Sequence, residues 1–201
     1  MSTRSCIARP IETGGFQGRY VHWDGYPSGV GRDVYDLFNR PVKKGGFGRN
    51  FTRLTKALLD NHPAGFSHIH GDWTASVGWG ENKACAKQSA STDPVECYCH
   101  GERHDEPYEV THENAAESGC EYAYVLYKRD GIPTMDVWTT ISLTDKGEAK
   151  KMIGSFGSGD PSANWVIVGR VALTQPMNGN AWQKLDEVAR NPTGLGQVVF
   201  F

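Results

Sequence analysis

Cysteine and histidine crowd one short stretch, CYCHGERH, from Cys97 to His104, and Cys120 follows further along the chain. Thiolate sulfur and imidazole nitrogen are the preferred donors of structural zinc sites. The expected ligand set is Cys97, Cys99, His104 and Cys120, with zinc as the ion. His100 and His112 compete for the imidazole position, and Cys85 is a spare thiol. One residue separates Cys97 from Cys99, where zinc fingers use about two to four. The surrounding polar stretch cannot order itself by burying apolar surface, and a metal clip would fix it. The competing reading is a set of ordinary thiols packed without a metal.

A second stretch, VHWDGYPSGVGR from Val21 to Arg32, combines acid–base, stacking and anion-binding residue types. The candidate ligand-binding residues are His22, Trp23, Asp24, Tyr26, Ser28, Gly29, Gly31 and Arg32. Ser28 is the expected N-cap of a helix whose first N–H groups and dipole would attract a phosphate or carboxylate, with Arg32 close by. Trp23 and Tyr26 suit stacking on a ring, and His22 and Asp24 suit proton transfer. The glycines permit positive φ or close backbone approach. Turn chemistry alone also explains Gly, Pro, Asp and Ser here, with the aromatics as a core plug. In HIHGDW, His68 and His70 fall on the same side of a strand, a geometry for a metal or a proton relay.

The elements that must position these residues follow from periodicity. SCIARPI and RYVHW read as a β-hairpin closed by ETGGFQG. Val34, Leu37 and Phe38 form the apolar stripe of a first helix, ended by Pro41. A second helix is expected from about Asn50 to Asn61, stopped by Pro63 and Gly65. Residues 66–80 suit one or two strands with a bend at Gly71. Residues 81–119 are expected as a long irregular insert that holds three of the cysteines. EYAYVLYKRDGIPTMDVWTTISL reads as two strands around a turn. A short helix and a Gly/Ser loop are expected over 144–164, then a strand in WVIVGRVAL and a helix over Asn180–Asn191. The fold class is α+β: an antiparallel sheet of five or six strands, about three packed helices and the Cys/His insert, in one domain over 1–201.

Composition bounds the function. The chain has 201 residues, a net charge of -2 and 38% hydrophobic residues, so a broad electrostatic grip on nucleic acid is not favoured. No stretch approaches the roughly 20 apolar residues of a membrane span, and no apolar leader opens the chain. The expected setting is the cytoplasm, where thiols stay reduced. No P-loop and no G-x-S-x-G motif occurs.

VHWDGYPSGVG at 21–31, ECYCHGERHDE at 96–106 and GCEYAYV at 119–125 together resemble a family of small actinobacterial and actinobacteriophage proteins of uncharacterised function. The resemblance spans much of the chain. It implies a phage-type accessory role in the host cytoplasm and supplies no defined activity. The expected function is therefore a binding or interaction protein that recognises a host protein or a small anionic ligand such as a nucleotide. The alternatives are a hydrolase that uses His22, Asp24, His68 and His70 on a phosphorylated or amide substrate, and a structural or assembly protein. Convergence of those four residues in one pocket would favour catalysis.

Overall fold

The computed structural model describes residues 3–70, 72–79, 94–101, 105–143, 149–151, 164–192 and 199–200. The first hairpin forms, with its return strand earlier than expected: β1 (Arg4–Pro10) and β2 (Phe16–Val21) pair antiparallel, with Cys6 opposite Tyr20, so Phe16–Gly18 belong to the strand and not to the turn, and β2 ends before His22. The chain then makes a π-helical turn over Pro27–Gly31 and enters helix α1 (Arg32–Asn39), whose Val34, Leu37 and Phe38 are buried. Helix α2 (Phe51–Thr55) continues as a π-helical turn over Lys56–Asp60. Asn50 caps it by accepting the Arg53 N–H at 3.0 Å, which satisfies one of the orphan donors of a helix start.

Three strands follow: β3 (Phe66–His68), β4 (Asp72–Trp79) and β5 (Pro94–Gly101). The stretch 81–119 is thus not wholly irregular. VECYCHG alternates well enough to make β5, and β6 (Val110–Thr111) pairs with β2. The long pair β7 (Cys120–Arg129) and β8 (Ile132–Leu143) turns at Asp130 and Gly131, both with positive φ. Then come β9 (Ala149–Lys151), β10 (Asn164–Ala172), helix α3 (Gly179–Arg190) and β11 (Val199–Phe200). The bend at Gly71 lies outside the described residues; of 144–164, expected as a short helix and a loop, the described Ala149–Lys151 is instead strand β9 paired with β8, and the rest up to Asn164 lies outside the described residues.

The class is α+β, but the sheet is mixed rather than antiparallel. Its order is β11-β10-β8-β7-β1-β2-β3-β5-β4, with β6 beside β2 and β9 beside β8. The pairs β1/β7, β2/β3, β4/β5 and β10/β11 are parallel. Parallel neighbours need a crossover; α1 and α2 supply it between β2 and β3, and α3 supplies it between β10 and β11.

Alternation along the strands builds two cores. On one face Ile7, Val21, Phe66, Cys97, Tyr122, Tyr124 and Val137 pack with Val34, Leu37, Leu58, Trp182 and Leu185 of the helical layer. On the other, Cys6, Ala8, Phe16, Val110, Ala115, Cys120, Ala123 and Val125 form a smaller cluster under the 105–119 segment.

Candidate metal centre

Strand β5 carries the cysteines. Cys97 lies opposite Phe66 of β3 and is fully buried, while Cys99, two residues on, is half-buried on the same face. Their partner is His62, which the sequence reading did not single out. Helix α2 runs out at Asp60, and HPAG turns the chain back toward β3, with a bond from the Gly65 N–H to the His62 carbonyl at 3.1 Å. Two bonds tie that turn to β5. The Tyr98 N–H donates to the Gly65 carbonyl at 3.0 Å, and the Ala64 N–H donates to Cys99 Sγ at 3.2 Å. His62 is thereby held 6% exposed, and the ligand atoms of His62, Cys97 and Cys99 lie within 4.8 Å of one another.

These three residues could hold a metal ion. Two soft sulfurs and one imidazole suit zinc-type ions and disfavour magnesium or calcium. The hydrogen bond from Cys97 draws the Cys99 thiol down to about 4, against the opposing effect of burial, with further help from His62 and the Ala64 N–H. That shift favours the thiolate at Cys99, the form that ligates.

The sequence placed Cys120 in the same set, and the fold separates it. Cys97, Phe66, Val21, Ser5 and Tyr122 form one row across β5, β3, β2, β1 and β7. Four steps of about 4.8 Å put β7 roughly 19 Å from β5. Cys120 instead packs in the opposite core beside Cys6, whose thiol is pushed up by burial and by its hydrogen bond with Cys120. Cys85, His104 and the side chain of His100 lie outside the described residues.

Behind the cysteines, on the other face of β5, Tyr98 enters a cavity of about 470 Å³. Its other walls are Tyr20 and His22 at the end of β2, Ala64, Asp105, Glu106, Tyr108 and Ser118. The Tyr20 hydroxyl and His22 Nδ1 are 2.9 Å apart. Burial and, secondarily, the Arg4 guanidinium lower the His22 pKa, so its imidazole is neutral around pH 7. The Asp105 N–H donates to the Tyr98 carbonyl at 3.1 Å, the Tyr108 N–H donates to the Pro63 carbonyl at 3.0 Å, and the Tyr108 and Ser118 hydroxyls bond at 2.8 Å.

The 22–32 turn is built differently from the expected anion site. The N-cap of the π-helical turn is Tyr26, not Ser28. Asp186 of α3 occupies the site: its carboxylate accepts the Ser28 N–H at 2.9 Å and the Ser28 hydroxyl at 2.5 Å. The next two N–H groups, of Gly29 and Val30, donate to the Tyr26 and Asp24 carbonyls. Arg32 leans toward Asp36, with Nε 3.6 Å from Oδ2. Gly29 and Gly31 serve close packing: a Cβ at Gly29 would collide with the Asp24 carbonyl, and one at Gly31 would come within 2.8 Å of the Tyr124 ring. The positive φ of this turn belongs to Asp24, at 55°. Asp24 accepts a long 3.4 Å bond from the Tyr26 hydroxyl, and the Tyr26 ring packs against the helical core. Trp23 is 42% exposed and meets the His22 ring edge-on at 4.7 Å.

His22 and the other two histidines face different neighbours. His22 turns to Tyr20 and Trp23, whereas His68 stacks on His70 at 4.1 Å and approaches Glu96 at 3.7 Å.

Among known proteins, no family model, no curated protein and no solved structure matches the chain. No helix of the described residues is long and apolar enough to cross a membrane.

Proposed function

We propose that this chain is a binding protein of the accessory type, in which His62, Cys97 and Cys99 supply three of the four donors of a structural zinc ion and the cavity across β5 receives a ligand. One observation carries this reading. Alternation along a single strand sends Cys97 and Cys99 to one face and Tyr98 into the cavity on the other. An ion that fixes the cysteines therefore fixes the wall of the binding site. The donors fit zinc: at Zn–S distances of about 2.3 Å the tetrahedral angle asks for sulfurs about 3.8 Å apart. The present spacing, within 4.8 Å, reaches that by small side-chain movements.

Asp186 at the turn favours the cavity over the helix start as the ligand site, because an anion at Ser28 would have to displace a carboxylate that already holds two donors. Cobalt(II) added to metal-free protein tests the reading. The expected result is thiolate-to-metal charge-transfer absorption, lost in Cys99→Ser, together with a melting temperature that falls on chelation. Bound metal at 100 times its Kd stabilises by about 2.7 kcal/mol, worth roughly 5–10 °C in a chain of this size. Absence of the absorption and an unchanged melt would overturn it.

A further inference from the structure

We propose that the cavity behind β5 is a site for an alkylammonium cation, a deeper statement of the binding function that rests on the reading above. Three tyrosines, Tyr20, Tyr98 and Tyr108, line one cavity of about 470 Å³, within the size range of small-molecule sites. Aromatic faces attract an ammonium through their quadrupole, most strongly where water is excluded. The remaining polar wall supplies anions and acceptors: the carboxylates of Asp105 and Glu106 and the Ser118 hydroxyl. The segment from Asp105 to Glu121 carries six acidic residues and no lysine or arginine.

Among the described residues, two guanidiniums border the cavity. Arg19 is held at the cavity wall, its Nε on the Leu59 carbonyl at 2.9 Å and its Nη1 on the carbonyl of the lining residue Tyr108 at 3.3 Å, so both groups are engaged by backbone acceptors. Arg4 lies on the Tyr20 and His22 side. His22 is neutral around pH 7 and adds no positive charge. Tyr20, raised by burial, stays protonated, so no phenolate replaces the neutral ring. An anionic ligand would meet Asp105 and Glu106 directly.

The test is NMR titration of the intact metal-loaded protein, zinc content measured on the same sample. The probes are choline chloride, its neutral isostere 3,3-dimethyl-1-butanol, sodium phosphate and a short peptide bearing trimethyllysine. The expected result is saturable shifts at Tyr20, Tyr98 and Tyr108 with the cations, at least ten-fold tighter than with the isostere. The double variant Asp105→Asn/Glu106→Gln, altered only at exposed positions, should weaken the cations at least five-fold and leave the isostere unchanged. Tighter binding of the peptide assigns the ammonium to a partner protein's side chain, and tighter binding of choline assigns it to a free small molecule. Equal affinity for isostere and cation, preference for phosphate, or no shift in a zinc-loaded sample would overturn this inference and leave the metal clip standing. A sample that holds no zinc fails the metal clip instead, and the cavity residues then decide the ammonium claim on their own shifts.

Discussion

Asp33 offers a perturbation whose sign and size follow from its surroundings. It sits in the first turn of α1, half-buried, and its carboxyl is pushed up to about 6, chiefly by burial. Asp36 and Asp24 push the same way, while His70 and Arg40 oppose them. The ordinary value is 3.8, so the native state resists ionisation more than the unfolded chain does. The contribution to stability is complete below about pH 4 and is lost as pH rises through about 6. A rise of about two units corresponds to an upper bound of about 3 kcal/mol; partial exposure of the side chain brings the expected effect to roughly 1–2 kcal/mol. Asp33→Asn keeps the shape and removes the titration. Urea unfolding of both proteins at pH 4, 5, 6 and 7.5 measures the difference directly. The variant should match the wild type at pH 4, apart from a constant offset, and gain about 1–2 kcal/mol by pH 7.5. A difference that stays flat over this range, or one that moves in favour of the wild type as pH rises, would refute the assignment of burial as the cause.

Three further substitutions probe how the site is supported. Tyr124 is fully buried and its hydroxyl donates to the Gly25 carbonyl at 2.7 Å; Tyr124→Phe leaves that carbonyl without this donor and should cost about 1–3 kcal/mol in urea unfolding. Gly31→Ala drives a methyl against the Tyr124 ring and should destabilise by about 1–3 kcal/mol, read as a lower melting temperature. Arg170 grips Asp136, which is 4% exposed, through two bonds of 2.6 and 2.7 Å; Arg170→Met removes the paired charge, leaves that carboxylate the Tyr127 hydroxyl at 3.1 Å as a donor and should cost about 3–5 kcal/mol, whereas Asp136→Asn combined with Arg170→Met should recover part of the loss.

Local features of the chain were legible in the sequence. The apolar runs in SCIARPI and EYAYVLYKR, and the helical spacing of Val34, Leu37 and Phe38, mark elements that form where expected, whereas the return strand of the first hairpin starts earlier, at Phe16, in residues expected as turn. What could not be read is which distant segments meet. Cys120 looked like a ligand because it follows the CYCHGERH stretch, yet strand order decides distance, and β1, β2 and β3 intervene between β7 and β5. His62 lies 35 residues before Cys97, and only the insertion of β3 between β2 and β5 brings it there. Its one local signal is a histidine beside proline at a helix end, which carries no period. Ser28 likewise gave no hint of Asp186, 158 residues away, which arrives on α3. The parallel pairings escaped because β-strand periodicity encodes a buried face and not a direction.

The central claim is that His62, and not Cys120, joins Cys97 and Cys99 in the metal set. Native mass spectrometry with elemental analysis, on protein purified without added metal or chelator, tests it in four single variants. The account predicts one zinc per chain in the wild type and in Cys120→Ser, and none in His62→Ala, Cys97→Ser or Cys99→Ser. Zinc kept by His62→Ala and lost from Cys120→Ser, or a wild-type protein that takes up no metal, would contradict it.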